Sequence, residues 1–253
     1  MTAPVICAYA RTPFGRYRGA LARYSATELG TLAVKELLER AAIDAASGIV
    51  DQLYMGQVLQ AGAGQAPARQ VAIGAGLPYS TPCTTVNKVC GSSLKAAMIG
   101  ATEIMAGRAD VVIAGGMESM SNAPHFIRGA RRGDEISYGD LSSILSHDGL
   151  KDAYDESMMG VTGETIAREA DITREQSDAF AVRSHTLSNQ AWDQGWFAEE
   201  CLKIDGLSRD EGIRTDTSTE SLASLRTVFD KDGQVTAGNA SQVSDGGSAV
   251  LIA

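Results

Sequence analysis

The stretch Val86-Asn87-Lys88-Val89-Cys90-Gly91-Ser92-Ser93-Leu94-Lys95-Ala96 lies where two sequence patterns meet. The β-prone run at residues 84–89 predicts a strand that ends at Cys90, where a helical pattern begins. The helix is expected to end near Gly107. Its apolar residues recur at spacings of three and four and predict one apolar face: Leu94, Ala97, Met98, Ala101 and Met105.

This arrangement places the thiol of Cys90 at a helix N-terminus. Free N–H groups and the helix dipole favour an anion there, and therefore a reactive thiolate over a neutral thiol. Ser92 and Ser93 add small side chains that leave the backbone approachable. Free cysteines are also among the most buried residue types, so the pattern alone leaves a structural cysteine open beside a nucleophile.

Two segments around Cys90 resemble the nucleophile region of the thiolases, the family of acetyl-CoA acetyltransferases and 3-ketoacyl-CoA thiolases. They are NKVCGSSLKA at residues 87–96 and AGGMESMS at residues 114–121. Two further segments extend the resemblance toward the chain ends, ARTPFG at residues 10–15 and TAGNAS at residues 236–241. The resemblance implies that Cys90 takes the acyl group from the thioester of an acyl-CoA.

The composition argues against several functional classes. The 253 residues are 44% hydrophobic, which is enough for one or two domains, and the net charge of −9 argues against nucleic-acid binding. No apolar run approaches the length of a membrane span, and the N-terminal residues do not form a signal-peptide pattern, so we expect a cytoplasmic protein without membrane partners. The four cysteines show no CxxC pairing and predict neither a metal site nor disulfides: Cys7, Cys83, Cys90 and Cys201.

Apolar strands and helices alternate along the first half of the chain and predict a layered α/β domain with a mixed or mostly parallel sheet. Strands are predicted at residues 5–10, 50–59, 84–89 and 110–114, and at the chain end from residue 248. The resemblance implies the thiolase fold, layered αβαβα, with this chain as its N-terminal half plus a loop domain. We expect residues 1–120 with 246–253 to form the domain that carries Cys90, and residues 121–245 to form the loop domain for CoA binding and subunit contacts.

The loop domain contains two predicted helices, at residues 162–170 and from Thr173, which has capping-box spacing to Gln176, to about residue 194. The resemblance implies seven residues in contact with the substrate or CoA: Leu150, Met159, Arg214, Ser221, Phe229, Ala237 and Ser241. From the residues alone, a role as core filler stays open for Met159, and a position on the solvated surface stays open for Arg214. Met158 stands where the family motif HMG has a histidine, which leaves a longer-chain 3-ketoacyl substrate open beside acetoacetyl-CoA.

The resemblance also implies a C-terminal domain with motifs of the types NEAFA, GHP and CGGGG, which do not occur in these 253 residues. We expect the rest of the chain or another polypeptide to supply them. The expected substrates are acyl-CoAs, with no metal or resident cofactor, in a homodimer or homotetramer. Two alternatives remain: a condensing enzyme of the ketoacyl synthase type, and a non-catalytic half-chain that binds acyl-CoA or a partner. A loop or packing role is favoured over pairing with Cys90 for each of the three histidines: His125, His147 and His185.

Overall fold

The computed structural model describes residues 3–130 and 137–253; the basic pair Arg131 and Arg132 of the predicted loop domain lies outside these ranges. The strands are β1 (Ile6–Arg11), β2 (Gly15–Arg16), β3 (Gln52–Gly56), β4 (Cys83–Val86), β5 (Val112–Ser119), β6 (His125–Phe126), β7 (Ser142–Ser143) and β8 (Ser244–Ile252). The α-helices are α1 (Ala26–Arg40), α2 (Pro67–Gly74), α3 (Ser92–Met105), α4 (Met159–Glu169), α5 (Arg174–Asp193) and α6 (Thr219–Ala223). Across the described ranges, no helix has both the length and the apolar character needed to cross a membrane.

The main sheet is mixed, which is one of the two arrangements that the sequence leaves open. Its strand order is β1-β8-β5-β3-β4, with β2 paired to the start of β8. Strand β3 runs parallel to β4 and β5, whereas β8 runs antiparallel to β1 and β5. The register joins Val112 to Ile252 and Ser119 to Asp245, so β8 is hydrogen-bonded along the full length of β5.

Alternate residues of the strands pack on opposite faces of this sheet, which follows from the two-residue period of a strand. On one face, Leu53, Met55 and Ile113 pack against α1 and α2. On the other face, Val112 and Ala114 pack against α3. The result is a layered arrangement of helices on both faces of the sheet, which confirms the α/β fold class.

Two capping boxes begin the helices where the sequence predicts them. The side chain of Ser25 accepts the N–H of Glu28 at the start of α1, and Thr173 does the same for Gln176 at the start of α5. Each satisfies N–H groups that the helix itself leaves unpaired.

The structure corrects the predicted strand before Cys90. Strand β4 ends at Val86 rather than at Val89, and residues 87–91, here called the Cys90 turn, connect it to α3. The helix begins at Ser92 with Gly91 as its N-cap, so Cys90 lies one residue before the cap. The cause is a tight turn at Val89, whose φ of 48° is incompatible with an extended strand.

The predicted apolar face of α3 is also wrong. Leu94 and Met98 are 68% and 54% exposed. The buried positions recur every four residues and are mostly small: Ser92, Ala96, Gly100 and Ile104. A Cβ atom at Gly100 would lie only 2.8 Å from Cγ1 of Val112, so the helix packs too close to the sheet for large side chains.

The segment between β5 and β8 is anchored to the sheet domain through Arg11 at the end of β1. Its guanidinium contacts Asp210 at 2.8 Å and Glu200 at 2.7 Å. Strand β8 begins at Ser244, two residues before the predicted domain boundary. The boundary itself stays a prediction.

Candidate active site

A cavity of about 490 Å³ opens where β3, β5 and β8 face the first turn of α3. Cys90 lines it, and so does Leu150, the first of the residues expected to contact CoA. The side chain of Cys90 is exposed rather than buried. This argues against a structural cysteine and places the thiol where a ligand can reach it.

Two strand glycines allow α3 to begin directly on the sheet. A Cβ atom at Gly56 would lie 2.5 Å from the backbone nitrogen of Ser93, and one at Gly116 would lie 2.6 Å from Cβ of Ser93. Real Cβ atoms do not approach other atoms that closely, so both positions require glycine in this arrangement. The position of Cys90 therefore depends on these two glycines.

The Cys90 turn is held by side-chain hydrogen bonds. The strained backbone at Val89 donates its N–H to Oδ1 of Asn87 at 3.0 Å. The hydroxyl of Ser92 accepts the N–H of Lys88 at 2.8 Å and donates to the carbonyl of Val89 at 2.6 Å. Such strain persists only where the surroundings impose it, and it concentrates at functional sites.

A carboxylate and an amide lie in the same cavity. Glu118 accepts the N–H groups of Val58 at 2.8 Å and Leu59 at 3.1 Å. Burial raises the pKa of Glu118, and these two hydrogen bonds oppose the increase. Gln57 is 1% exposed; its Nε2 donates to the carbonyl of Leu59, and its Oε1 has no hydrogen-bond partner within the described ranges.

The three histidines lie elsewhere. His147 contacts Asp148 at 2.6 Å, and Nδ1 of His185 accepts the backbone N–H of Arg214. Of the cavity-lining residues that the structure describes, none is a histidine. Nor do residues 3–130 and 137–253 hold a cluster of three side chains suited to a metal ion.

The remaining predicted CoA residues fall into separate groups. Met159 begins α4, and the ring of Phe229 packs against the next residue, Gly160. Ser221 forms a capping box at α6, where the side chain of Leu222 packs on Gly238. Arg214 lines a different surface depression. The structure therefore brings Leu150 to Cys90 but does not bring Arg214 into that cavity.

Ala237 and Ser241 are both exposed, on a loop whose conformation is set by buried polar groups. Glu164, only 4% exposed, accepts the backbone N–H groups of Gln234 and Val235. Asn239 donates to the buried carboxylate of Asp178 at 2.9 Å and accepts the N–H of Thr236 at 2.8 Å. These contacts present the small residues of the loop to solvent in one conformation.

The sequence did not single out Gln57, Glu118 or Asn87 as site residues. The charge of Glu118 within the otherwise apolar strand β5 was the available signal, because an ionisable side chain in a buried strand requires a partner or a function. Gln57 and Asn87 carry no comparable signal, because amide side chains are common at strand ends.

Comparisons with known proteins agree with one another. A family model described as the thiolase N-terminal domain matches residues 4–253. The probable acetyl-CoA acetyltransferase of Escherichia coli (strain K12) is 47% identical over 98% of this chain and 65% of its own length. The acetyl-CoA acetyltransferase of Pseudomonas aeruginosa is 46% identical over 98% of this chain and 65% of its own length.

A solved structure, Acat5 thiolase from Ascaris suum in complex with coenzyme A, superposes with a TM-score of 0.92. It is 36% identical and is matched over 100% of this chain and 66% of its own. The chain thus spans about 65% of the length of the two bacterial relatives. Because a thiolase family model matches nearly every residue and the fold is that of a solved thiolase, the chain belongs to the thiolase family.

Proposed function

We propose that these residues belong to a thiolase-type acyltransferase that acts through an acyl-cysteine intermediate on Cys90. The observation that carries the proposal is the exposed thiol of Cys90 on a strained turn at the edge of a 490 Å³ cavity. The size suits an acyl group and the start of a pantetheine arm, since small-molecule sites typically measure about 300–1,000 Å³.

In the proposed reaction, Sγ of Cys90 attacks the thioester carbonyl of an acyl-CoA and CoA departs as the thiol. Backbone N–H groups at the Cys90 turn, including that of Cys90, are the proposed donors to the developing oxyanion. The acyl group then passes to the α-carbon of acetyl-CoA in condensation, or to CoA in cleavage. The base that activates the thiol and the group that moves the α-proton are proposed to lie outside these 253 residues.

Acyl-CoA is the proposed substrate class. Leu150 shares the cavity with Cys90, and the loop of Ala237 and Ser241 presents small side chains to solvent, which suits a narrow pantetheine arm. We assign Arg214 to the CoA phosphates, because a guanidinium matches phosphate geometry. The names of the relatives, acetyl-CoA acetyltransferases, support an acetyl group, whereas Met158 leaves longer chains open.

The test is mass spectrometry of the natural-length protein after incubation with acetyl-CoA. We expect an increase of one acetyl group on the peptide that contains Cys90, and none on that peptide in Cys90→Ala. Cys7→Ala is the matched control, because Cys7 is likewise exposed but does not line the cavity, and this variant is expected to be acetylated normally.

Two other results would change the assignment. Tight binding of acetyl-CoA without any acetyl-enzyme would favour the non-catalytic alternative. Equal acetylation of the peptides containing Cys7 and Cys90 would indicate nonspecific modification and would refute the special role of Cys90.

A further inference from the structure

Among the described residues that line the Cys90 cavity, Glu118 is a carboxylate without a counter-charge. Glu118 and Cys90 are the two titratable side chains among the described residues that line it. Burial is the largest cause of the raised pKa of Glu118, and no charge among the residues that the structure describes contributes. Folding would favour a neutral side chain here, and a desolvated carboxylate retained at such a site points to a role beyond stability.

The carboxylate holds a specific piece of backbone. Its two oxygens accept the N–H groups of Val58 and Leu59, one each, directly after β3 ends. Residues 57–59, here called the 57–59 wall, line the same cavity as Cys90.

The 57–59 wall in turn packs against the segment that carries Leu150. A Cβ atom at Gly149 would lie 3.2 Å from Cδ2 of Leu59, so this side chain packs on the backbone beside Leu150. Gln57 is tied to the same wall by its hydrogen bond to the Leu59 carbonyl, while its buried Oε1 has no partner in the part of the chain that the structure describes. An acceptor left unpaired in a cavity wall is a place where a ligand or water can donate.

We propose that Glu118 is a positioning residue that fixes the 57–59 wall, and through Leu59 the Leu150 side of the cavity, so that the shape of the site selects which acyl group reaches Cys90. This inference rests on the proposed function, because it concerns the acyl cavity of that reaction. Both oxygens accept where the wall is held at two points, so the ionised carboxylate, with two strong acceptors, holds it most firmly.

The test uses alkylation, which needs a reachable thiol but no acyl transfer. The natural-length protein is treated separately with iodoacetamide and with N-hexyl iodoacetamide, and the rate at Cys90 is followed on its peptide. The ratio of the two rates reports cavity shape, because the ionised fraction of the thiol is common to both reagents. The exposed Cys7 supplies an internal reference for reagent reactivity.

The variants are Glu118→Ala, Glu118→Gln and the control Asp51→Asn. Asp51 also accepts two backbone N–H groups, from Asp110 and Val111, but at the opposite end of β3. We expect both Glu118 variants to change the rate ratio at Cys90 on the order of tenfold, the discrimination that small changes in an apolar pocket produce. Asp51→Asn is expected to leave it unchanged.

Acidification gives a second readout. As the pH falls through the pKa of Glu118, one oxygen gains a proton and becomes a much weaker acceptor of an N–H group, so the rate ratio of the wild-type protein should shift toward that of Glu118→Gln. The ratio in Glu118→Gln should stay constant over the same range.

Unchanged ratios in both Glu118 variants, with unaltered thermal unfolding, would overturn the inference. An equal change in Asp51→Asn would also overturn it, because the effect would then be general loosening of the sheet. If Glu118→Ala does not fold, the isosteric Glu118→Gln decides. If the wild type is not acetylated but the Glu118 variants still shift the rate ratio, the proposed acyl transfer is rejected and the role of Glu118 in cavity shape stands.

Discussion

Replacing Gly56 by alanine is expected to displace the start of α3 and, with it, Cys90. The added Cβ atom would lie 2.5 Å from the nitrogen of Ser93 and 2.6 Å from the carbonyl carbon of Ser92. These are backbone atoms, so no side-chain rotation relieves the contact. An ordinary contact begins at 3.4 Å, and the helix or the end of β3 must therefore shift by about 0.9 Å.

Both stability and reactivity should respond to this shift. Overpacking of a core typically costs about 1–3 kcal/mol, which for a protein of this size lowers Tm by roughly 2–12 °C. A displacement near 1 Å at a reacting group can lower the rate by about 10²-fold. The assay combines thermal unfolding with the rate of acetylation of the Cys90 peptide by acetyl-CoA.

Gly116→Ala provides a contrast, because its Cβ atom would meet a side chain rather than backbone. The clash is with Cβ of Ser93 at 2.6 Å, and the double variant Gly116→Ala/Ser93→Gly removes that atom. We expect the second substitution to restore most of the loss in Gly116→Ala, apart from about 0.5 kcal/mol for glycine in a helix. Adding Ser93→Gly to Gly56→Ala should restore nothing.

The matched control is Gly163→Ala within α4. Its Cβ atom would lie 3.5 Å from the nearest atom, in Val235, which is an ordinary contact. This variant should be neutral or more stable by about 0.5–1 kcal/mol, because alanine favours a helix over glycine. A Gly56→Ala variant that unfolds within about 1 °C of the wild type and acetylates at the same rate would contradict this role of Gly56. Equal rescue of both glycine variants by Ser93→Gly would contradict it as well.

Three further predictions concern groups away from the cavity. Burial raises the pKa of Cys201 to about 11 from 9.0, because the folded protein favours the neutral thiol. This preference stabilises the folded protein below pH 9, and the stabilisation is lost as the pH rises through 11. The Tm of the wild type should therefore fall toward that of Cys201→Ala between these two pH values. Arg11→Lys keeps the charge but loses the bidentate contact with Asp210, and chemical denaturation should show a loss of about 1–3 kcal/mol. In Glu164→Gln, an amide NH2 group replaces one of the two oxygens that accept the backbone N–H groups of residues 234–235. We expect the free energy of unfolding to fall by about 1–3 kcal/mol and the KM for acetyl-CoA to rise.

Local patterns predicted the elements whose formation is local. The capping boxes at Ser25 and Thr173 involve residues three apart, and both are present. The alternation of apolar strands and helices correctly indicated a layered α/β domain, and the sheet is the mixed one of the two arrangements left open. The buried face of α3 was not predictable in this way, because hydrophobic spacing ranks large side chains as buried. Here the short distance between helix and sheet selects Ala96 and Gly100 instead.

The same limit applies to the cavity. Glu118 lies on β5 two residues after Gly116, which pairs with Gly56 at the end of β3, and only this pairing of strands distant in sequence shows that its carboxylate meets the turn after β3. A carboxylate in an apolar run indicates that a partner exists, but not which one. The resemblance supplied Cys90 as the nucleophile and Leu150 as a CoA contact, whereas their shared cavity and the residues that shape it required the tertiary structure.

The Cys90 turn explains why the predicted end of strand β4 was wrong. Valine prefers an extended backbone, so local propensity extends the strand through Val89, which instead has a φ of 48°. A backbone in this region costs on the order of 1–3 kcal/mol, and the bonds from Asn87 and Ser92 offset it. Where local preference and observed conformation conflict, the surrounding contacts maintain the strain, and such conflicts concentrate at functional sites. The mispredicted residue directly precedes the proposed nucleophile, so the disagreement between propensity and structure is itself an argument that this turn is built to present the thiol.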